Sequence, residues 1–145
     1  MKIVMVFGTF DGVHQGHEYL LGEAKKLGDR LVVCIARDAT VEQIKGRRPR
    51  RPEIERREAL AQDRYVDQVV YGDRQLGSYR IVEEIDPDII ALGYDQTELK
   101  ADLTRWISVH DKSIQLVDIA AHHPELYKSS IVNKIAGNRP GRPSA

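Results

Sequence analysis

Short apolar runs alternate along the chain with stretches whose apolar residues recur every three or four positions. Runs of this length, bounded by glycine or polar residues, are typical of strands that are buried on both faces of a sheet. We predict strands at residues 3–7, 31–36, 66–71, 89–92 and 114–117. The helical spacing predicts helices at residues 17–27, 54–61, 79–85, 97–109 and 129–136.

This alternation predicts an α/β fold: one domain over residues 1–136, with a Rossmann-like, doubly wound parallel sheet of about five strands. Ligands of such sheets bind beyond the carboxyl ends of the strands, near the point where the strand order reverses. Residues 137–145 are rich in Gly, Pro and Arg, and we predict that they form a disordered tail.

Composition and charge exclude several classes of protein. The 22 Lys and Arg residues are balanced by 22 Asp and Glu residues, so no overall charge attracts nucleic acid or an anionic membrane. No apolar run approaches the roughly 18 residues of a membrane span, and the first run is too short for a signal peptide. The single cysteine, Cys34, lies in an apolar run. We expect a cytoplasmic protein without a nucleic-acid or membrane partner.

The loop between the first predicted strand and helix reads GTFDGVHQGH, residues 8–17. Its three glycines allow the backbone to approach a phosphate, and the amides that open the next helix favour an anion. His14 and His17 are three positions apart, so both could donate to one phosphate and stabilise charge on a pentavalent phosphorus. The loop is not a P-loop, because it lacks the lysine and hydroxyl of that motif.

Two other interpretations of the histidines stay open. His14 and His17 could be half of a metal site, for which Asp11 would be a further ligand. They could also cap a helix on the surface, as isolated histidines at this spacing often do.

The loop resembles the GxFDxxHxGH signature of the cytidylyltransferase-like nucleotidyltransferases. The matching residues are Gly8, Phe10, Asp11, His14, Gly16 and His17. The segments LGDRLVV, RYVDQVV and LGYDQ are similar to those of archaeal-type FAD synthases and of glycerol-3-phosphate cytidylyltransferases. The resemblance extends from residue 2 to about residue 135.

The resemblance implies catalytic roles for His14 and His17, which would contact the triphosphate and stabilise the transition state. It implies that Thr9 and Phe10 contact the nucleotide through their backbone. It also implies that Asp11 orders the loop or helps to hold a magnesium ion, which phosphate oxygens would otherwise bind.

Residues 45–57, KGRRPRRPEIERR, include seven basic residues among thirteen. Two prolines and a glycine predict a loop that becomes ordered on binding rather than a helix. A nucleic-acid patch and a solvated run of charge are the alternatives. By resemblance, Lys45 reaches the transferring phosphate as a third catalytic residue, and Arg56 is a mobile cation that helps to hold the triphosphate.

Two further segments carry candidate nucleotide contacts. Gly93, Tyr94 and Asp95 follow a predicted strand and could hold a base or ribose, although Gly and Asp are also common in strand-ending turns. Ser129 and Ser130 precede the last predicted helix, and by resemblance their hydroxyls and amides contact the triphosphate.

The reaction implied by the resemblance transfers AMP from ATP to FMN, giving FAD and pyrophosphate, with Mg²⁺ as cofactor. The alternatives are cytidylyl transfer from CTP to glycerol 3-phosphate or a related phosphorylated alcohol, and a non-catalytic nucleotide sensor. Residues 65–70 resemble a segment near the dimer contact of this family, so we also expect a homodimer.

Overall fold

The computed structural model describes residues 1–12 and 14–120, and the predicted alternation of strands and helices is present there. The strands are β1 (Ile3–Gly8), β2 (Arg30–Ile35), β3 (Gln68–Tyr71), β4 (Ile89–Leu92) and β5 (Gln115–Asp118). The helices are α1 (Gln15–Lys25), α2 (Asp38–Lys45), α3 (Glu53–Ala61), α4 (Arg80–Ile85) and α5 (Thr97–Val109).

The five strands form one parallel sheet in the order β3-β2-β1-β4-β5. Strand β1 pairs with β2 on one side and with β4 on the other, so the strand order reverses at β1. The predicted Rossmann-like α/β fold is therefore confirmed. The reversal places a ligand crevice beyond Gly8, the last residue of β1.

The sheet is buried on both faces, which explains why its strands are continuously apolar. Successive side chains of β1 alternate between the faces. Val4 and Val6 belong to a core that α1 and α3 cover through residues such as Leu21 and Leu60. Met5 belongs to a second core, which includes α4 and α5 residues such as Val82, Leu103 and Trp106. Trp106 is 7% exposed within this second core.

The prediction of a loop from residue 45 is wrong at its first residue, whereas the predicted helix 54–61 is present and begins one residue earlier. Lys45 ends α2, and α3 begins at Glu53, so the loop covers residues 46–52 alone. Helix α2 was not predicted because its two large aliphatic residues are too few to show a helical period. Of these, Val41 is buried and Ile44 is 64% exposed. The predicted helix 129–136 and tail 137–145 lie outside the described residues.

Within the described ranges, no helix is both long and apolar enough to cross a membrane. Cys34 is buried in the sheet, as its apolar surroundings predicted. Burial raises the pKa of its thiol to about 12, so Cys34 stays protonated and unreactive at neutral pH.

Candidate active site

A cavity of about 750 Å³ opens beyond the end of β1, between α1 and the loops that follow β4 and β5. Most of the predicted site residues line it, which places them together at the carboxyl edge of the sheet. They are Gly8, Thr9, Phe10, Asp11, His14, Gly16, His17, Lys45, Gly93, Tyr94 and Asp95. The cavity has the size of a nucleotide-binding site, since ligand pockets commonly measure about 300–1,000 Å³.

The two histidines form a stacked pair at the start of α1. Their ring centroids are 3.8 Å apart, and the ring planes differ by 25°. His14 is the N-cap of the helix, and its Nδ1 accepts the backbone N–H of Gly16 at 3.1 Å. The Nδ1 of His17 accepts the backbone N–H of His14 at 3.4 Å. The helix-capping interpretation is thus correct, and the same two residues also line the cavity.

These hydrogen bonds fix the tautomer of each ring when it is neutral. A nitrogen that accepts a backbone N–H carries no proton, so each neutral ring has its proton on Nε2. Burial lowers the pKa of His17, and the charge of His14 lowers it further, against the opposing effects of the Gly12 backbone and Asp95. A neutral His17 ring therefore carries an Nε2–H that can donate to a phosphate oxygen, with the His14 ring stacked beside it.

Two glycines of the loop are required by the rings next to them. A Cβ atom on Gly8 would lie 2.6 Å from the ring of Phe10, and one on Gly16 would lie 3.0 Å from the ring of His14. The Phe10 ring is buried beside His17, with the ring centroids 5.0 Å apart, although the Phe10 backbone has a positive φ of 54°. The Phe10 ring thus packs against the His17 ring of the pair.

Asp11 anchors the basic loop of residues 46–52. Its Oδ2 accepts the backbone N–H of Arg50 at 2.7 Å, and its Oδ1 accepts that of Arg51 at 2.9 Å. The Arg50 amide is the largest reason why the pKa of Asp11 is lowered. The anchored loop lies at the cavity, which Arg47 lines beside Lys45.

The expectation that Arg56 is a mobile cation is wrong. Its side chain is 1% exposed and is not among the residues that line the cavity. The guanidinium donates to the carbonyls of Thr9, Ala36 and Arg51 at 2.8–3.0 Å, and to Asp38 Oδ1 at 2.8 Å. Arg56 therefore ties the ends of β1 and β2 to the basic loop, as a positioning residue.

Gln96 is a site residue that the sequence did not reveal. Its Nε2 donates to the carbonyl of Phe7, and its Oε1 accepts the N–H of Gly93, both at 2.8 Å. It joins the ends of the neighbouring strands β1 and β4 and lines the cavity. The position after GYD, just before α5, was the available signal, but a turn there was equally consistent with the sequence.

The remaining candidates divide into exposed and undescribed residues. Tyr94 is 69% exposed at the cavity, next to Asp95. Ser129 and Ser130 lie outside the described residues. Among residues 1–12 and 14–120, no group of three or more His, Cys, Asp or Glu is placed to hold a metal ion.

Comparisons with known proteins agree with the site geometry. The family model described as cytidylyltransferase-like matches residues 5–134. The FAD synthase of Thermococcus sibiricus is 41% identical over 88% of this chain and 84% of its own. That of Thermoplasma acidophilum is 39% identical over 92% of this chain and 93% of its own.

The solved structures include a similar protein. The crystal structure of the lipopolysaccharide core biosynthesis protein from Thermoplasma volcanium is matched with a TM-score of 0.78 and 38% identity. The match covers 84% of this chain and 98% of that one. The signature loop, the sheet order and these similarities agree, and the chain belongs to the cytidylyltransferase-like family of nucleotidyltransferases.

Proposed function

We propose that the protein is an FMN adenylyltransferase, which transfers AMP from ATP to FMN and releases pyrophosphate. The observation that carries the transfer chemistry is the stacked pair of His14 and His17 on the cavity at the end of β1. The choice of ATP and FMN rests on the similarity to FAD synthases, which covers most of both chains.

The proposed step is a direct in-line displacement. A phosphate oxygen of FMN bonds to the α-phosphorus of ATP, while the bond from that phosphorus to the bridging oxygen breaks. The bonding electrons leave with pyrophosphate, so no covalent enzyme intermediate is formed. The Nε2–H groups of His14 and His17 stabilise the charge on the phosphorus oxygens, and Lys45 and Arg47 hold the leaving pyrophosphate.

Mg²⁺ fits this site as a partner of the triphosphate rather than as an ion held by the protein. Both carboxylate oxygens of Asp11 already accept backbone N–H groups. The part of the chain that the structure describes contains no cluster of three metal-binding side chains. Bound to phosphate oxygens, Mg²⁺ would supply positive charge that offsets the charge of the triphosphate.

The other nucleotide contacts belong to the same proposal. Gly93, Tyr94 and Asp95 would bind the base or ribose, since they line the cavity beyond β4. Ser129 and Ser130 would contact the triphosphate, as the resemblance implies. We further propose a cytoplasmic location and a homodimer; the dimer is supported by the overlap of residues 65–70 with β3, an edge strand of the sheet.

The test is an assay of the purified protein with Mg²⁺, ATP and FMN, in which FAD and pyrophosphate are measured. A parallel reaction contains CTP and glycerol 3-phosphate. We expect FAD and pyrophosphate in equal amounts from the first mixture and no pyrophosphate from the second. No FAD from FMN and ATP would overturn the choice of substrates.

Variants of His17 distinguish an enzyme from a nucleotide sensor. We expect His17→Asn to lose turnover while ATP affinity stays within about tenfold, or roughly 1.4 kcal/mol, because transition-state donors add little to ground-state binding. His110→Asn is the matched control, since His110 follows α5 and stacks on Trp106 away from the cavity. An equal loss of affinity and turnover in His17→Asn would indicate a binding role alone.

A further inference from the structure

A second cavity of about 700 Å³ lies on the other face of the sheet. It is bounded by α2, by α5 and by the segment that follows β3. Four residues line both cavities: Phe7, Gly8, Thr9 and Gln96. The two cavities therefore meet across the end of β1, the strand at which the sheet order reverses.

The two cavities differ in chemistry. The first contains the two imidazoles and the cations Lys45 and Arg47, whereas the second combines apolar side chains with arginine and carboxylate side chains. Ile44 of α2 is 64% exposed and Leu76 is 48% exposed, and both border the second cavity. Exposed apolar residues that border a cavity indicate a ligand with an apolar surface.

Polar groups stand at defined positions in the same cavity. Arg37 is fixed because its Nε donates to the carbonyl of Gly72 at 2.8 Å and its guanidinium lies 5.1 Å from the centre of the Tyr71 ring. The rest of the guanidinium remains to bind an acceptor such as a carbonyl oxygen. Tyr79 is held by a 2.6 Å hydrogen bond to Asp102 and packs edge-on against Phe7.

We propose that the second cavity holds the isoalloxazine ring of FMN, with Arg37 at its carbonyl-bearing edge and Ile44 and Leu76 against its faces. This inference rests on the proposed function and identifies where its acceptor, FMN, binds; we call this place the seat of the ring. The ribityl phosphate of FMN then crosses Gly8 and Thr9 to reach the α-phosphorus of ATP in the first cavity.

The geometry of the reaction favours this division of the substrates. In an in-line displacement the attacking and leaving oxygens lie on opposite sides of the phosphorus. An acceptor in the second cavity and a leaving group held by Lys45 and Arg47 in the first cavity would reach the phosphorus from different cavities. A small polar acceptor such as glycerol 3-phosphate would leave the apolar walls of the second cavity exposed to water.

Two variants on different helices test the seat of the ring. Ala101 is an exposed residue of α5 that lines the second cavity, so Ala101→Trp fills it without disturbing the core. Thr104→Trp is its control, because Thr104 is exposed one turn later and lines neither cavity. Ile44→Ser removes part of the apolar rim, and Ile54→Ser is its control on α3, where Ile54 is also exposed.

The measurements are KM for FMN, KM for ATP and the dissociation constant of FMN from quenching of its fluorescence. We expect Ala101→Trp and Ile44→Ser to raise KM and the dissociation constant for FMN about tenfold, with KM for ATP unchanged within about twofold. The two controls should match the wild-type protein in all three.

The outcomes separate this inference from the proposed function. If the wild-type protein makes no FAD, the proposed function fails. If it makes FAD but both variants bind FMN as the wild-type protein does, the seat is wrong and the function stands. An equal rise in KM for ATP and FMN in both variants would also overturn the seat, because one shared site would then bind both substrates.

Discussion

At the scale of single residues, each imidazole of the His14–His17 pair uses one ring nitrogen to stabilise the start of α1 and has the other available as a donor. The Nδ1 atoms accept backbone N–H groups at the start of α1, and the Nε2 atoms carry the remaining protons. The fold thereby selects the tautomer that can donate to a phosphate. The spacing of the histidines predicted that they act together, but the hydrogen bond from His14 to His17 is visible only in the structure.

The protonation of His17 gives a pH prediction. Its pKa lies below the ordinary 6.5, because burial and the charge of His14 both disfavour the imidazolium. Its contribution to the free energy of unfolding is complete above pH 6.5 and is lost as the pH falls through the lowered pKa. We expect an NMR titration of the His17 ring to show a midpoint below 6.5, and kcat/KM to fall on the acid side at the same midpoint.

The variant His14→Asn isolates one cause of this shift. Asn keeps a good N-cap for α1 but removes the neighbouring positive charge. The midpoint of His17 should rise in this variant, because one of the two causes that lower its pKa is removed. A midpoint at or above 6.5 in the wild-type protein would contradict the lowered pKa of His17.

Arg56 gives a prediction of stability. Replacement by Met removes the partner of Asp38 and leaves the carbonyls of Thr9, Ala36 and Arg51 without their donor. Loss of one member of a buried ion pair commonly costs about 3–5 kcal/mol, and we expect Arg56→Met to lower the free energy of unfolding by that amount in urea titrations.

The neighbouring Arg57 provides the control for Arg56. It is exposed on the same helix, and Arg57→Met should change the free energy of unfolding by less than about 0.5 kcal/mol. Equal stability of the two variants would show that the Arg56 network contributes nothing. The sequence placed Arg56 in a basic run, but no pattern there distinguishes a buried arginine from its exposed neighbours.

At the scale of elements, prediction succeeded where the periodicity was long or the apolar run continuous. Helix α5 and strand β4 have the predicted bounds, and β1 differs by one residue. Helix α2 was missed because a single buried residue, Val41, fixes it to the core. Its end at Lys45 therefore emerged from the structure alone.

The same contrast separates the two cavities. Seven of the residues that line the first come from one short stretch of sequence between Gly8 and His17, whose position at the end of β1 was readable from the sequence. The second draws its walls from β1, α2, α5 and the segment after β3, which are far apart along the chain. Only the packing of α2 and α5 around the end of β1 brings these walls together, so no local motif could predict it.

At the scale of the whole molecule, the net charge is zero, but positive charge is in excess near the first cavity. The 22 basic and 22 acidic residues cancel overall, yet the loop anchored by Asp11 places Arg47 on the first cavity beside Lys45. Lys45 and Arg47 line that cavity and are exposed. Any attraction of these two side chains for a triphosphate would therefore be local and would be screened by salt.

This arrangement predicts how salt affects the reaction. The Debye length falls from about 10 Å at 0.1 M salt to about 3 Å at 1 M, so exposed cations lose their attraction for ATP over this range. We expect KM for ATP to rise up to about tenfold while kcat changes less than about twofold, since in the proposed reaction the imidazole N–H donors would contact the phosphate directly and be less screened. Steady-state kinetics across the salt series would measure both effects. Arg47→Gln should flatten the rise in KM, whereas Arg57→Gln, remote from the cavity lining, should keep the wild-type slope. Equal slopes in the two variants would mean that the basic loop does not attract the triphosphate.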